Sequence, residues 1–152
     1  MIEKNLELNF IFNTDFFTDR KNKTAFKKSV TKIVKGIFSL EKRSFDNLNI
    51  LFTDDEEIRE LNNKYLAHNY STDILTFGYD EDESDIIISV ETVKSNSKTF
   101  KTTFKNELFR VIIHGLLHLC GYDDVTKDEK DAIRKLEDSY LKIFKQECSI
   151  KF

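Results

Sequence analysis

Two histidines four residues apart, His114 and His118, lie in the run His114-Gly115-Leu116-Leu117-His118-Leu119-Cys120-Gly121-Tyr122-Asp123-Asp124. On a helix this spacing stacks both imidazoles on one face. Gly121 can end that helix and turn the chain back. Asp123 and Asp124 follow at once, so a carboxylate can reach the point the imidazoles face. Two imidazoles and one carboxylate suffice as the protein ligands of a catalytic zinc, the fourth position being left to water. The same spacing would also suit two core histidines on a buried helix; the glycine turn and the acidic pair behind it favour the metal. Of the three histidines in the chain, two are in this run.

The neighbours of the pair narrow the chemistry. A zinc peptidase of the H-E-x-x-H type keeps its general base directly after the first histidine, and here that place is Gly115. Cys120 is rotated roughly 200° from His118 around a helix, which makes it a packed thiol rather than a ligand. Glu107 and Arg110 share the histidine stripe. Arg110, one turn before His114, could stabilise phosphate charge or pair with Glu107 or another acid. Asp73 fixes the loop before a strand. From the residues alone, either Asp123 or Asp124 could complete the donor set.

These side chains need elements to hold them. Residues 6–12 alternate like a strand with one buried face. Residues 24–39 read as a helix with Phe26, Val30, Ile33, Val34 and Ile37 on one side. Residues 48–52 form a second strand. Asp54 caps a helix that runs to about Tyr65, with acids in its first turn. A polar loop, 66–72, leads to a third strand at 74–77. The acidic stretch 80–83 reads as a hairpin loop. Residues 86–90 are apolar on both faces, hence a central strand. A helical stretch from Glu91 breaks around 99–103, and the histidine-bearing helix spans about 104–120. Thr126-Lys127-Asp128-Glu129 is a capping box. It opens a last helix with Ala132, Ile133, Leu136, Tyr140 and Ile143 inward. The sum is one α+β (α/β-like) domain over residues 1–152, a four-stranded, mostly mixed sheet with helices packed on it.

The 152 residues suit one domain with a real core, to which 14 Phe contribute. The chain has no Pro and only four Gly, which argues against linkers. No apolar run approaches a membrane span, and residues 1–5 lack the pattern of a signal peptide; a cytoplasmic protein is expected. Net charge is −3, yet residues 20–43 hold nine basic residues and a single acid, Glu41. The remainder is strongly acidic. This run is the one concentrated basic surface to which a polyanion could bind, although a lysine stripe can also be merely solvated.

The run from His114 to Asp124 resembles the signature of the YbeY family of bacterial rRNA maturation endoribonucleases, H-G-x-L-H-L-x-G-Y-D-H, with Asp124 in place of the last His. A second block, Leu61-Asn62-Asn63-Lys64-Tyr65-Leu66 and then Thr72-Asp73-Ile74-Leu75-Thr76-Phe77, is similar to that family's L-N-x-x-Y-R and T-D-V-L-S-F at the same spacing. There Leu66 stands where the family has Arg. Asp85-Ile86, after Ser84, resembles its G-D-I. The resemblance implies that His114, His118 and Asp124 are metal ligands. It implies one Zn²⁺ per chain, although a carboxylate ligand also admits other divalent transition metals such as Mn²⁺ or Fe²⁺. It further implies a metal-dependent single-strand endoribonuclease acting in 16S rRNA 3′-end maturation. Its partners would be rRNA and the small ribosomal subunit or its assembly factors, with no membrane and no dinucleotide, and the protein a monomer. His68, two residues after Leu66, could contact substrate in place of the missing Arg or simply be exposed. The alternative function is a ribosome-assembly binding factor whose metal is structural.

Overall fold

In a computed structural model describing residues 5–17, 19–80 and 82–152, alternating β and α segments build one mixed sheet with helices on both faces. Strand β1 is Glu7–Phe12, helix α1 Arg20–Leu40, β2 Asn47–Thr53, α2 Asp55–Leu66, β3 Ile74–Gly78 and β4 Glu83–Ser89. Helices α3 (Val90–Thr99), α4 (Phe104–Leu119) and α5 (Lys127–Ile143) follow, then a short 3₁₀ turn at Glu147–Ser149. The sheet order is β1-β2-β4-β3. β1, β2 and β4 run parallel, and β3 is antiparallel to β4. The expected α+β fold and the central place of β4 are thus observed.

The pattern of β4 explains the layers. Ile86 and Ile88 point into the main core with α1 and α4, whereas Ile87 joins Ile58 of α2 and Leu75 of β3 on the other face. Helix α4 is the most deeply set element: Leu108, Phe109, Ile112, Ile113, Leu116 and Leu117 are all fully buried. Each such side chain contributes about 1.5–3 kcal/mol of transfer free energy, so the histidine helix cannot shift without disturbing the core. Gly115 lets it lie this close. A Cβ there would stand 2.6 Å from Ile74 Cδ1 and 3.3 Å from Thr76 Cγ2.

Three expectations need correction. Helix α1 starts at Arg20 rather than Thr24, because the Asp19 side chain accepts from the Lys21 N–H and caps it. β4 begins at Glu83, inside the acidic stretch; Asp80 accepts from the Asp82 and Glu83 N–H groups to make the turn, and Glu81 lies outside the described residues. On α5, Ala132 and Ile143 face solvent, and Glu137 is buried between Ile133 and Tyr140 instead. The N-terminal residues 1–4, on which the leader reading rests, also lie outside the described residues.

Candidate metal centre

Helix α4 starts at Thr103, whose hydroxyl accepts from the Asn106 N–H. It ends at Gly121, which adopts a φ of 102°. The Gly121 N–H donates to the His118 carbonyl and the Tyr122 N–H to that of Leu117, the paired closure of a Schellman motif. A side chain at Gly121 would strain this turn. The turn carries the chain straight to Asp124 and then to Thr126, whose reciprocal bonds with Glu129 open α5.

The link bearing Asp124 is pinned from both sides. Tyr122 Oη donates to Glu41 Oε2 at 2.8 Å, and Tyr140 Oη donates to Glu41 Oε1. Glu41 is the C-cap of α1, so α1, the turn and α5 meet at one carboxylate. Asp124 Oδ2 then stands 3.3 Å from His114 Nε2 and 3.5 Å from His118 Nε2. The two Nε2 atoms are 2.9 Å apart. Tetrahedral donors 2.0–2.1 Å from one zinc ion are about 3.3–3.4 Å from each other. The spacing therefore fits a zinc-sized ion, with the two imidazoles slightly close. Among the described residues, these three form the group able to hold a metal ion. Asp123 is exposed and is not part of it.

Behind the donors lies a second carboxylate. His114 Nδ1 is 2.7 Å from Glu137 Oε2, and Glu137 is only 4% exposed. With Nδ1 protonated and donating, the Nε2 lone pair faces the other donors, as in carboxylate–histidine–metal sites. Burial alone would lower the His114 pKa; the hydrogen bond and charge of Glu137, with Asp124 and Asp73, outweigh it and hold the value above that of a free imidazole. Glu137 in turn accepts from Arg110 Nη1 at 3.0 Å, while Nη2 donates to Asp138 at 2.5 Å. The partners of Arg110 are thus on α5, and its hydrogen bonds do not go to Glu107.

The donors open into a cleft of about 250 Å³ whose walls include Asp73, Glu107, Arg110 and Glu137. Burial pushes the carboxyls of both Asp73 and Glu107 up. Asp73 also fixes its loop, its carbonyl accepting from the Ser89 N–H. His68 does not line this cleft; it stacks on Tyr70 and shares a 3.1 Å hydrogen bond with that hydroxyl. Leu66, at the end of α2, is exposed. Cys120 caps α4 at its C-terminus, and burial pushes its thiol up to about 12. Sequence reasoning missed Glu137 and the Glu41 clamp. An acid four residues after Ile133 and three before Tyr140, on the apolar stripe of α5, was the signal for Glu137; nothing local marked Glu41.

A mixed sheet covered by helices, with His114 and His118 on its deepest helix and Asp124 on the turn that follows, defines the class. The model of the family described as Endoribonuclease YbeY matches residues 13–145, and the chain belongs to that family. The Endoribonuclease YbeY of Parabacteroides distasonis is 39% identical over 125 residues, covering 80% of this chain and 88% of the relative. That of Karelsulcia muelleri is 41% identical over 142 residues, covering 91% and 96%. A solution structure of a Thermotoga maritima protein superposes with a TM-score of 0.55 at 25% identity, covering 93% of both chains.

Proposed function

We propose that this protein is a zinc-dependent single-strand endoribonuclease that acts in 16S rRNA 3′-end maturation in the cytoplasm, on RNA presented by the small ribosomal subunit or its assembly factors. The observation that carries this reading is the convergence of His114 Nε2, His118 Nε2 and Asp124 Oδ2, backed by Glu137, in a chain of an endoribonuclease family. These three side chains would hold the ion. When bound, zinc supplies Lewis acidity at a phosphoryl oxygen and a water acidic enough to attack near neutral pH. The Asp124 carboxylate lowers the formal charge of the site relative to three imidazoles, so the activity should require a somewhat higher pH than a three-histidine site. Glu137 keeps the proton of His114 on Nδ1. Arg110 is assigned to stabilising negative charge on the phosphate from the cleft wall, with its guanidinium held in place by Glu137 and Asp138. His68 is assigned to substrate contact outside the cleft.

The test is cleavage of a precursor 16S 3′-end RNA by the purified protein, with and without chelator. Cleavage that is lost on chelation, restored by Zn²⁺ and absent in His114→Ala supports the reading. RNA binding without cleavage at full metal occupancy would replace it with an assembly factor whose metal is structural.

A further inference from the structure

The cleft has two rim features that the metal chemistry leaves unused. The first is Phe100. Of the 14 phenylalanines, it alone is exposed, at 57%. It caps α3, and the chain leaves it through Lys101 at a φ of 55°, with the Thr102 N–H closing onto the Ser97 carbonyl. The ring is therefore presented on a tight, hydrogen-bonded corner, and among the described residues no other ring packs on it. The second is a pair of cations one turn apart on α5, Lys130 and Arg134. Both are exposed and line the same cleft as Phe100. Among the described residues neither has a carboxylate within salt-bridge distance, whereas Arg110 has two; the charge of Arg134 acts at longer range on the buried Glu107. The acids of the cleft lie deeper than these cations: Glu107 and Glu137 are buried and Asp73 and Asp124 half-buried, so a phosphate at the rim meets Lys130 and Arg134 first.

An exposed ring beside exposed cations is the combination by which proteins hold single-stranded nucleic acid. A base stacks on the ring, and the flanking phosphates meet the charges. A duplex cannot use it, because its bases are already stacked and paired. We infer that Phe100, Lys130 and Arg134 form a single-strand holding site: one unpaired base stacks on Phe100, the adjoining phosphates pair with Lys130 and Arg134, and the strand is thereby laid against the metal donors. This rests on the RNA substrate proposed above and names how that substrate is gripped. It also supplies phosphate-binding groups in a chain that has Leu66, not a cation, at the end of α2.

Fluorescence anisotropy of a short end-labelled oligouridylate, with the purified metal-loaded protein across a salt series and the probe verified intact by gel, tests it. Phe100→Ala should weaken single-strand binding roughly 5- to 150-fold with an unchanged salt slope, and Phe100→Trp should restore it. The double variant Lys130→Ala, Arg134→Ala should lower the slope by about 0.7 per cation removed. Metal content should stay at the parent level in all three, and a matching duplex should compete poorly. If the parent binds and cleaves RNA while a variant combining Phe100→Ala, Lys130→Ala and Arg134→Ala keeps parental affinity and slope, the holding site is wrong and the nuclease reading stands. If the metal-loaded parent neither binds nor cleaves RNA, the nuclease reading fails and this site with it.

Discussion

Glu137 decides which nitrogen of His114 is free. Its carboxylate accepts a hydrogen bond from Nδ1–H at 2.7 Å, and Arg110 pairs with that buried carboxylate at 3.0 Å. Outer partners of this kind typically change metal affinity by 10–100-fold. Glu137→Gln is expected to weaken zinc binding about 10-fold and Glu137→Ala about 100-fold, read by competition with a chromophoric chelator. Nitrogen chemical shifts of His114 should report a mixed tautomer in both. Asp124 carries a parallel expectation. Asp124→Ala should lose metal sharply and the exposed Asp123→Ala should not, measured as bound zinc per chain. Unchanged zinc in Asp124→Ala would remove it from the donor set.

At the scale of elements, α4 and α1 make different demands. Gly115 seats α4 against β3 and β4, and an added methyl would meet Ile74 Cδ1 first. That atom is the far end of a side chain able to turn, so Gly115→Ala should cost about 1 kcal/mol, the low end for overpacking; a urea midpoint measures it. On α1, Lys28, Lys32 and Lys35 all face solvent opposite the buried Phe26, Val30, Ile33 and Ile37. Replacing the three lysines by Glu should reduce RNA affinity and flatten its salt dependence while leaving metal content intact. Unaltered binding across a salt series would mean that the stripe only solvates the helix. The elements were legible in the sequence where one face is continuously apolar, as on α1, β4 and α4. They were less so at ends set by a single capping side chain, as with Asp19, and on α5, where a buried acid interrupts the stripe. The donor pair was legible because it is local. Its support was not, since Glu137 lies 23 residues from His114 and its burial comes from helix packing rather than from neighbouring residues.

For the molecule as a whole, metal and fold should be linked by mass action. An ion that binds only the native state at about 100 times its Kd adds about 2.7 kcal/mol. A chain of this size shifts by roughly 2–4 °C per kcal/mol. Chelation is therefore expected to lower Tm by roughly 5–11 °C in a thermal scan, and the His114→Ala, His118→Ala double variant should show no such shift. A metal-independent Tm in the parent would mean that the native state does not bind the ion selectively.

The Glu41 carboxylate joins parts of the chain that are far apart in synthesis. Its two tyrosine partners lie 81 and 99 residues downstream, and the brace on His114 lies later than Asp124 itself. Contacts of such long sequence separation close late, and a growing chain emerges from its N-terminus first. While Glu137 and Tyr140 are still inside the exit tunnel of the translating ribosome, His114, His118 and Asp124 are already made, but His114 lacks its brace and Glu41 has only Tyr122 to hold. The three donors are thus made before the helix that orients one of them, and the setting of His114 waits on the docking of α5.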